Sequence, residues 1–264
     1  MQLITLTTDW GYSDHYIGAV KAKLYTAIKD CQVVDITHRI EKYNLMSGAF
    51  IVKNACLDFP EGTIHIIDVD CTESSKNNYQ HVVIEYKKQY FICTDNGMPS
   101  MIFDDLSQIK IIGITNTYQD SSYYTFSAFD LFCKVAALIA YDTNIEELGF
   151  EMNELVRKNV LTATIFGDSI LCTVFHVDSY GNVFLNIKIE EFLAKLGNHE
   201  FLIEIESNKI KSISKSYDDV RENSPLLTVS STGHLQIAIN KANASELLGY
   251  RTGSQISIKI IKKK

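Results

Sequence analysis

The chain has 264 residues, a hydrophobic fraction of 46%, a charged fraction of 22% and a formal net charge of -7. That length suits two domains of roughly 100 to 200 residues better than one core, and the ordinary apolar content excludes a disordered chain. The negative charge works against broad binding to phosphate backbones, which relies on Lys and Arg displacing counterions, so no nucleic-acid partner is expected.

The six cysteines, Cys31, Cys56, Cys71, Cys93, Cys133 and Cys172, form no C-x-x-C pair and have no His-rich spacing around them. Neither a metal site nor a disulfide framework is indicated, and no cofactor is expected. No apolar stretch approaches the roughly 18 residues that span a bilayer, and the first residues carry no basic leader. The expectation is a cytoplasmic protein that makes no membrane contact. The basic run Lys262 to Lys264 reads as a solvated chain end.

In chain order, Gln2 to Thr7 is an apolar, β-branched run, and Asp14 to Ile28 carries apolar residues at helical spacing. Val33 to Ile36 predicts a second strand, Asn44 to Asp58 a second helix and Thr63 to Val69 a third strand. His81 to Tyr86 and Gln89 to Thr94 flank Lys87 and Lys88 as a hairpin, Lys110 to Ile114 adds a strand, and Phe129 to Ala140 is an apolar helix. From about Leu161 the pattern changes to short β-branched runs, at Ile170 to Asp178, Asn182 to Ile187, Phe201 to Ile205, Leu226 to Ser230, His234 to Ile239 and Gln255 to Ile260. The expected fold is an α/β N-terminal domain with a mostly parallel sheet over 1–155, followed by an all-β, barrel-like domain over 160–264.

Ligands of open α/β sheets collect beyond the carboxyl ends of the strands, so the strand-end residues are the first candidates. Asp9 follows an apolar strand, where it either caps a turn or accepts two hydrogen bonds from a vicinal diol. Asp14 is expected to be a helix N-cap. His38 either orders its own loop or faces a ligand. Asp68 and Asp70 stand two apart, which puts two carboxylates on one face of a strand and raises one pKa, as suits a general base. Asp70 is the better placed, at the strand end. Asp95, Asn96 and Gly97 have the composition of a tight turn. Asp178 and Asn182 flank a glycine turn and offer a carboxylate and an amide, for structure or for a ligand. G-x-G-x-x-G, Walker A and G-x-S-x-G signatures are all absent.

Six blocks in order, TTDWGYSDHYIGAVKAKL (7–24), VVDITHRIEKYNLMSGAF (33–50), FPEGTIHIIDVD (59–70), TDNGM (94–98), HVDSYGNVFLNI (176–187) and SSTGHLQIAINKANASELLG (230–249), resemble the S-adenosylmethionine (SAM) hydroxide adenosyltransferases. These are relatives of the SAM-dependent fluorinase and chlorinase. The resemblance implies a homotrimer with sites between subunits, and displacement at the ribose C5′ of SAM by water to give adenosine and L-methionine. It assigns Asp9 to both ribose hydroxyls, Tyr43 to a place beside the sugar, and Asn96 to the substrate site. Asp178, Tyr180 and Asn182 would contact the methionine and adenine portions, with Ser231 and Ala242 completing the adenine pocket.

The resemblance also marks a departure. The family activates water with an Asp, an Arg and a His. Asp70 keeps the Asp, but no Arg follows it in Asp70 to Asn78, where Lys76 is the nearby cation. The family's F-H-G-R-D reads Phe126 to Asp130 here, with Ser127 in place of the His and Phe129 in place of the Arg. A hydrolase resting on Asp70, with Ser127 and Lys76 as helpers, is the leading expectation. A catalytically silent adenosine or SAM binder is the alternative, and a halogenase is disfavoured because Asp70 would repel a halide.

Overall fold

The computed structural model describes residues 1–72, 76, 79–115, 125–158, 162–205 and 208–262. The chain divides into two compact units, Met1–Asn159 and Val160–Lys264.

The first unit is built on seven strands: β1 (Gln2–Thr8), β2 (Cys31–Thr37), β3 (Ile64–Asp68), β4 (His81–Tyr86), β5 (Gln89–Thr94), β6 (Lys110–Ile114) and β7 (Gly149–Met152). They lie in the order β2-β1-β3-β5-β4-β6-β7. The pairs β1 with β2, β1 with β3 and β3 with β5 are parallel. The pairs β4 with β5, β4 with β6 and β6 with β7 are antiparallel. The sheet is therefore mixed, which corrects the expectation of a mostly parallel one. The reason is the hairpin at Lys87 and Lys88: it sets β4 antiparallel to β5, and β4 then pairs antiparallel with β6, as β6 does with β7.

Helices α1 (Tyr16–Ala27) and α3 (Cys133–Ala140) cover one face and α2 (Leu45–Ala55) the other. Strand alternation decides which side chain meets which layer. Ile64 and Ile66 of β3 join Ile4, Leu6, Val20, Leu24 and Phe132, whereas Ile67 and Val69 join Val52, Phe91 and Met98 on the α2 side. Asn44 caps α2, its side chain accepting from the Ser47 N–H at 3.0 Å. The expected cap of α1 is corrected: His15 occupies the N-cap position with no side-chain bond, and Asp14 lies exposed outside the helix. Immediately before α3, Ala128–Phe132 forms a π-helical turn, a widening often found at functional sites.

The second unit contains β8 (Thr164–Phe166), β9 (Ser169–Val177), β10 (Val183–Lys188), β11 (Glu200–Ile205), β12 (Asn208–Ile210), β13 (Ile213–Ser214), β14 (Pro225–Val229), β15 (His234–Ile239) and β16 (Gln255–Ile261). The path runs β12-β11-β16-β9-β10-β15-β14-β13, with β8 paired to β9. This long sheet curls, bringing β12 near β14. It is strand-rich rather than all-β, because α4 (Ile189–Leu196) and α5 (Ala244–Leu248) interrupt it. Phe192 and Leu196 of α4 bury against the inner face with Phe201 and Ile203. Glu190 and Glu191 sit at the helix's positive end and Lys195 near its negative end, charges that suit the helix dipole.

Gly149 pairs with Ile114 at the sheet edge, and a β-carbon there would run into the carbonyl oxygen of Gly113. Gly149→Ala is expected to push β7 off β6 and destabilise the protein by about 1–3 kcal/mol, read from the urea midpoint.

Candidate active site

The carboxyl ends of the parallel strands β1, β3 and β5 bring Asp9, Asp68, Asp70 and the turn Asp95–Asn96–Gly97 to one edge of the first unit. Asp70 lies two residues beyond β3 with φ +50°, a left-handed conformation that Asp tolerates better than most residues. The turn is held by Asn96, which is only 1% exposed. Its Nδ2 donates to the carbonyls of Val69 and Asp70, both at 3.0 Å, and its Oδ1 accepts from the Met98 N–H at 3.1 Å. The Asn96 side chain thereby ties the turn to the end of β3.

Burial raises the pKa of Asp70, and the charge of Asp9 adds to that, while Lys158 pulls it back down. Lys158 reaches this place by two ties. The Asp95 carboxylate accepts from the Val156 N–H, at 3.0 and 2.9 Å to its two oxygens. The stem of Lys158 then lies over Gly97, whose φ of +96° and missing β-carbon leave room for it. Its Nζ stands 5.6 Å from the centre of the Tyr79 ring. Lys76 is exposed, and its neighbours 73–75 and 77–78 lie outside the described residues.

Asp9 is 7% exposed, and its Oδ2 accepts from the Tyr43 N–H at 3.0 Å. Tyr43 itself has φ +65° and a ring 71% exposed. One carboxylate oxygen of Asp9 thereby fixes the loop that presents Tyr43. His38 orders its own loop: Nδ1 lies 2.7 Å from Thr8 Oγ1 and Nε2 lies 3.1 Å from Asp35 Oδ1. Fully buried, it has a lowered pKa despite that carboxylate. Trp10 stacks on it, 6.0 Å between ring centres.

Asp68, the partner Asp in the pattern, is buried on the α1 and α3 side. Burial pushes its carboxyl up to about 7, with Asp9 adding to the rise, against hydrogen bonds from the Trp10 side chain, the Ala128 backbone and Cys71. It braces the start of the π-helical turn. Within that turn Phe129 stacks on Phe126 at 5.8 Å and lies under Lys23 Nζ at 4.3 Å. Ser127 Oγ lies 2.9 Å from Nε2 of the buried His81. Lys158 and His81 were both missed by motif reasoning, since neither falls in a strand-end turn. Residues 116–124, just before this turn, lie outside the described residues.

The second unit contains a cavity of about 690 Å³ lined by Tyr180, Asn182, Tyr217, Ile239, Asn240, Lys241 and Ala242, within the size range of small-molecule sites. Asp178 organises its rim. Oδ1 accepts from the N–H groups of Tyr180 and Asn182, and Oδ2 from Asn182 Nδ2, each at 2.9 Å. Gly181 makes this turn at φ +81°, packed against the Asn243 side chain. Three of the expected residues, Tyr180, Asn182 and Ala242, therefore share one cavity. Ser231 lies exposed in the turn between β14 and β15, outside that lining. Tyr217, which lies in no motif, receives hydrogen bonds at its hydroxyl from Asn182 Nδ2 at 3.4 Å and Gln236 Nε2 at 2.8 Å.

An α/β unit with clustered carboxylates at the carboxyl edge of its sheet, joined to a curled sheet holding a cavity, is the layout of a small-molecule enzyme. The profile of the SAM hydroxide adenosyltransferase N-terminal domain matches residues 4–149, and that of the C-terminal domain matches residues 172–257. The chain belongs to the SAM hydroxide adenosyltransferase family. It is 30% identical over 269 residues to a protein of Methanocaldococcus jannaschii named (R)-S-adenosyl-L-methionine hydrolase, covering 98% of this chain and 96% of that one. A protein of the same name from Salinispora tropica is 25% identical, with 97% of each chain covered. A fluorinase of Actinopolyspora mzabensis is 20% identical, covering 97% and 96%. Among solved structures, a conserved protein of Thermotoga maritima superposes with a TM-score of 0.82 at 27% identity, covering 97% of this chain and 99% of that one.

No helix among the described residues is long and apolar enough to cross a membrane, and no group of three or more His, Cys, Asp or Glu among them is arranged to hold a metal.

The Asp68 carboxyl makes stability depend on pH. Its folded pKa of about 7 stands above the ordinary value near 4, so its stabilising contribution is full below about pH 4 and is lost as pH rises through about 7. Between pH 5 and pH 8, Asp68→Asn should lose less stability than the unaltered protein, by on the order of 3 kcal/mol in urea denaturation.

Proposed function

We propose that the protein is a SAM hydrolase, a hydroxide adenosyltransferase that converts SAM and water to adenosine and L-methionine by displacement at C5′ of the ribose. The observation that carries this is the end-to-end match to a protein named (R)-S-adenosyl-L-methionine hydrolase, over 98% of the chain. The relatives' names point to the R configuration at sulfur as the substrate form.

The chemistry suits the residues present. The leaving group is a neutral thioether departing from a sulfonium, so no acid is needed to expel it. What the protein must supply is an aligned water in a dry pocket. Asp70 orients that water. Lys158, rather than Lys76, is the cation that accompanies it and favours its carboxylate form, though without the bidentate fork of an Arg. Asn96 acts one step back, by fixing the Asp70 turn. Asp9 keeps one oxygen on Tyr43 and offers the other to the ribose hydroxyls, with the Tyr43 ring beside the sugar. Asp178 shapes the loop on which Tyr180 and Asn182 meet the methionine and adenine portions, and Ala242 with the Ser231 turn completes the adenine side. The assembly is a homotrimer, in which exposed rings such as Tyr43 and Tyr180, at 71% and 79%, are covered by neighbouring subunits.

The second reading is a catalytically silent binder of adenosine or SAM. It is favoured by one observation: Ser127 and Phe129 stand where the family carries His and Arg, and Phe129 is held in an aromatic stack. Incubation with each sulfur epimer of SAM, with adenosine followed by chromatography, separates the two. Adenosine should form above the uncatalysed control, faster from the R form. Binding without adenosine would establish the silent alternative.

Asp70→Asn should lower kcat by about 100-fold or more while adenosine affinity, measured by calorimetry, stays within threefold. Asp9→Ala should abolish measurable adenosine binding, and a folded Asp9→Ala protein that still binds adenosine would remove the ribose role.

A further inference from the structure

Ser127 carries the only hydroxyl of the π-helical turn Ala128–Phe132 and its N-cap, and that hydroxyl is spoken for. Its Oγ lies 2.9 Å from His81 Nε2, while His81 Nδ1 lies 2.8 Å from Thr94 Oγ1. The imidazole is 3% exposed, at the start of β4 directly opposite Thr94 of β5, and packs edge-on against Phe132 at 4.9 Å. A ring held at both nitrogens and against a fixed aromatic has one orientation.

A neutral imidazole carries one hydrogen, and with that hydrogen on Nδ1 of His81 the Thr94 Oγ1 at 2.8 Å accepts it. The Nε2 lone pair is then turned toward Ser127 and accepts the Ser127 O–H. This leaves the Ser127 oxygen lone pairs as acceptors for a further donor.

We propose that Ser127 and His81 form a proton relay for the attacking water: Ser127 Oγ accepts a water hydrogen while its own hydroxyl hydrogen passes to His81 Nε2. This rests on the hydrolase reading above and goes beyond it by assigning the proton a destination. In the step, the water oxygen forms its bond to C5′ as the bond from C5′ to sulfur breaks, and the electron pair leaves with the methionine thioether. The oxygen becomes a hydroxyl as one proton moves to Ser127 and the serine proton moves to His81. The resulting imidazolium releases that proton to solvent after the products depart, so that SAM and water give adenosine, methionine and one proton. A strong base is unnecessary, because water becomes very acidic once its oxygen bonds to carbon. The buried imidazole, pushed down to about 4, still accepts a proton from such a species. Ser127 is the residue that touches the water, and His81 is a positioning and proton-accepting residue behind it. Serine alone is no base near neutral pH, and this arrangement supplies an imidazole from a neighbouring strand.

The test is a cycle of His81→Gln, Ser127→Ala and the double variant in the full-length protein, with SAM turnover and adenosine affinity both measured. The expected result is a loss in kcat of about 100-fold for His81→Gln, KM and adenosine affinity within threefold, and a double variant no slower than the slower single one. His81→Gln at wild-type kcat, or single losses that multiply in the double variant, would overturn the relay while leaving the hydrolase intact. An unaltered protein that releases no adenosine from either epimer overturns the hydrolase reading and the relay with it. Should the Gln variant not fold, nitrogen NMR of the unaltered protein decides: the neutral Nδ1–H form of His81 is expected, and the Nε2–H form overturns the proposed direction of transfer.

Discussion

The first unit's chemistry hangs on one side chain amide. Asn96 joins the end of β5 to the end of β3 by donating to two consecutive carbonyls, those of Val69 and Asp70. Without those bonds nothing in the strand pairing would hold Asp70 in a left-handed conformation beyond the last paired residue of β3. With them, the Asp70 carboxylate projects from the edge of the sheet at a fixed point, close enough to Asp9 for their charges to interact. The buried amide works at full value because no water competes for its hydrogens.

Around that point the protein has placed groups that push in opposite directions. Burial and Asp9 act against the Asp70 charge, and Lys158 supports it. Asp68, deeper in the layer, has no such cation among the described residues, and burial pushes its carboxyl up to about 7. Two carboxylates two residues apart are thus set apart by their environments: one braces the π-helical turn, the other stands near a cation. Such divergence between neighbouring titratable groups is a frequent mark of a catalytic region.

Much of this was legible from local pattern. The hairpin His81–Tyr86 and Gln89–Thr94 was read with its ends correct, because period-two runs around a short polar turn leave little choice. The strand-end carboxylates Asp9 and Asp70 were legible for the same reason. The antiparallel half of the sheet was not, since the pairing of β4 with β6 depends on strands separated by an intervening loop and hairpin that carry no signal for direction. Lys158 is not legible from local pattern because it reaches Asp70 only through the tie between Asp95 and Val156, 61 positions apart in sequence. His81 looked like an ordinary strand residue, and its meaning lies in a hydroxyl 46 positions away. Asn96 is legible as a turn residue, whereas its bonds to the carbonyls of Val69 and Asp70 link strand ends that only the fold brings together.

In the second unit, the phenol of Tyr217 faces the cavity with its hydrogen-bonding capacity already partly used. Its oxygen already receives two amide hydrogens, from Asn182 and Gln236, which occupies both lone pairs. The one polar function left to it is its own hydrogen. That wall of the cavity therefore has a sign: it greets a molecule with a donor, welcoming a ring nitrogen or a carboxylate oxygen and offering nothing to an ammonium group. A molecule turned toward this hydroxyl would have to present an acceptor there, whatever its other groups met at Tyr180, Asn240 and Lys241 elsewhere on the lining.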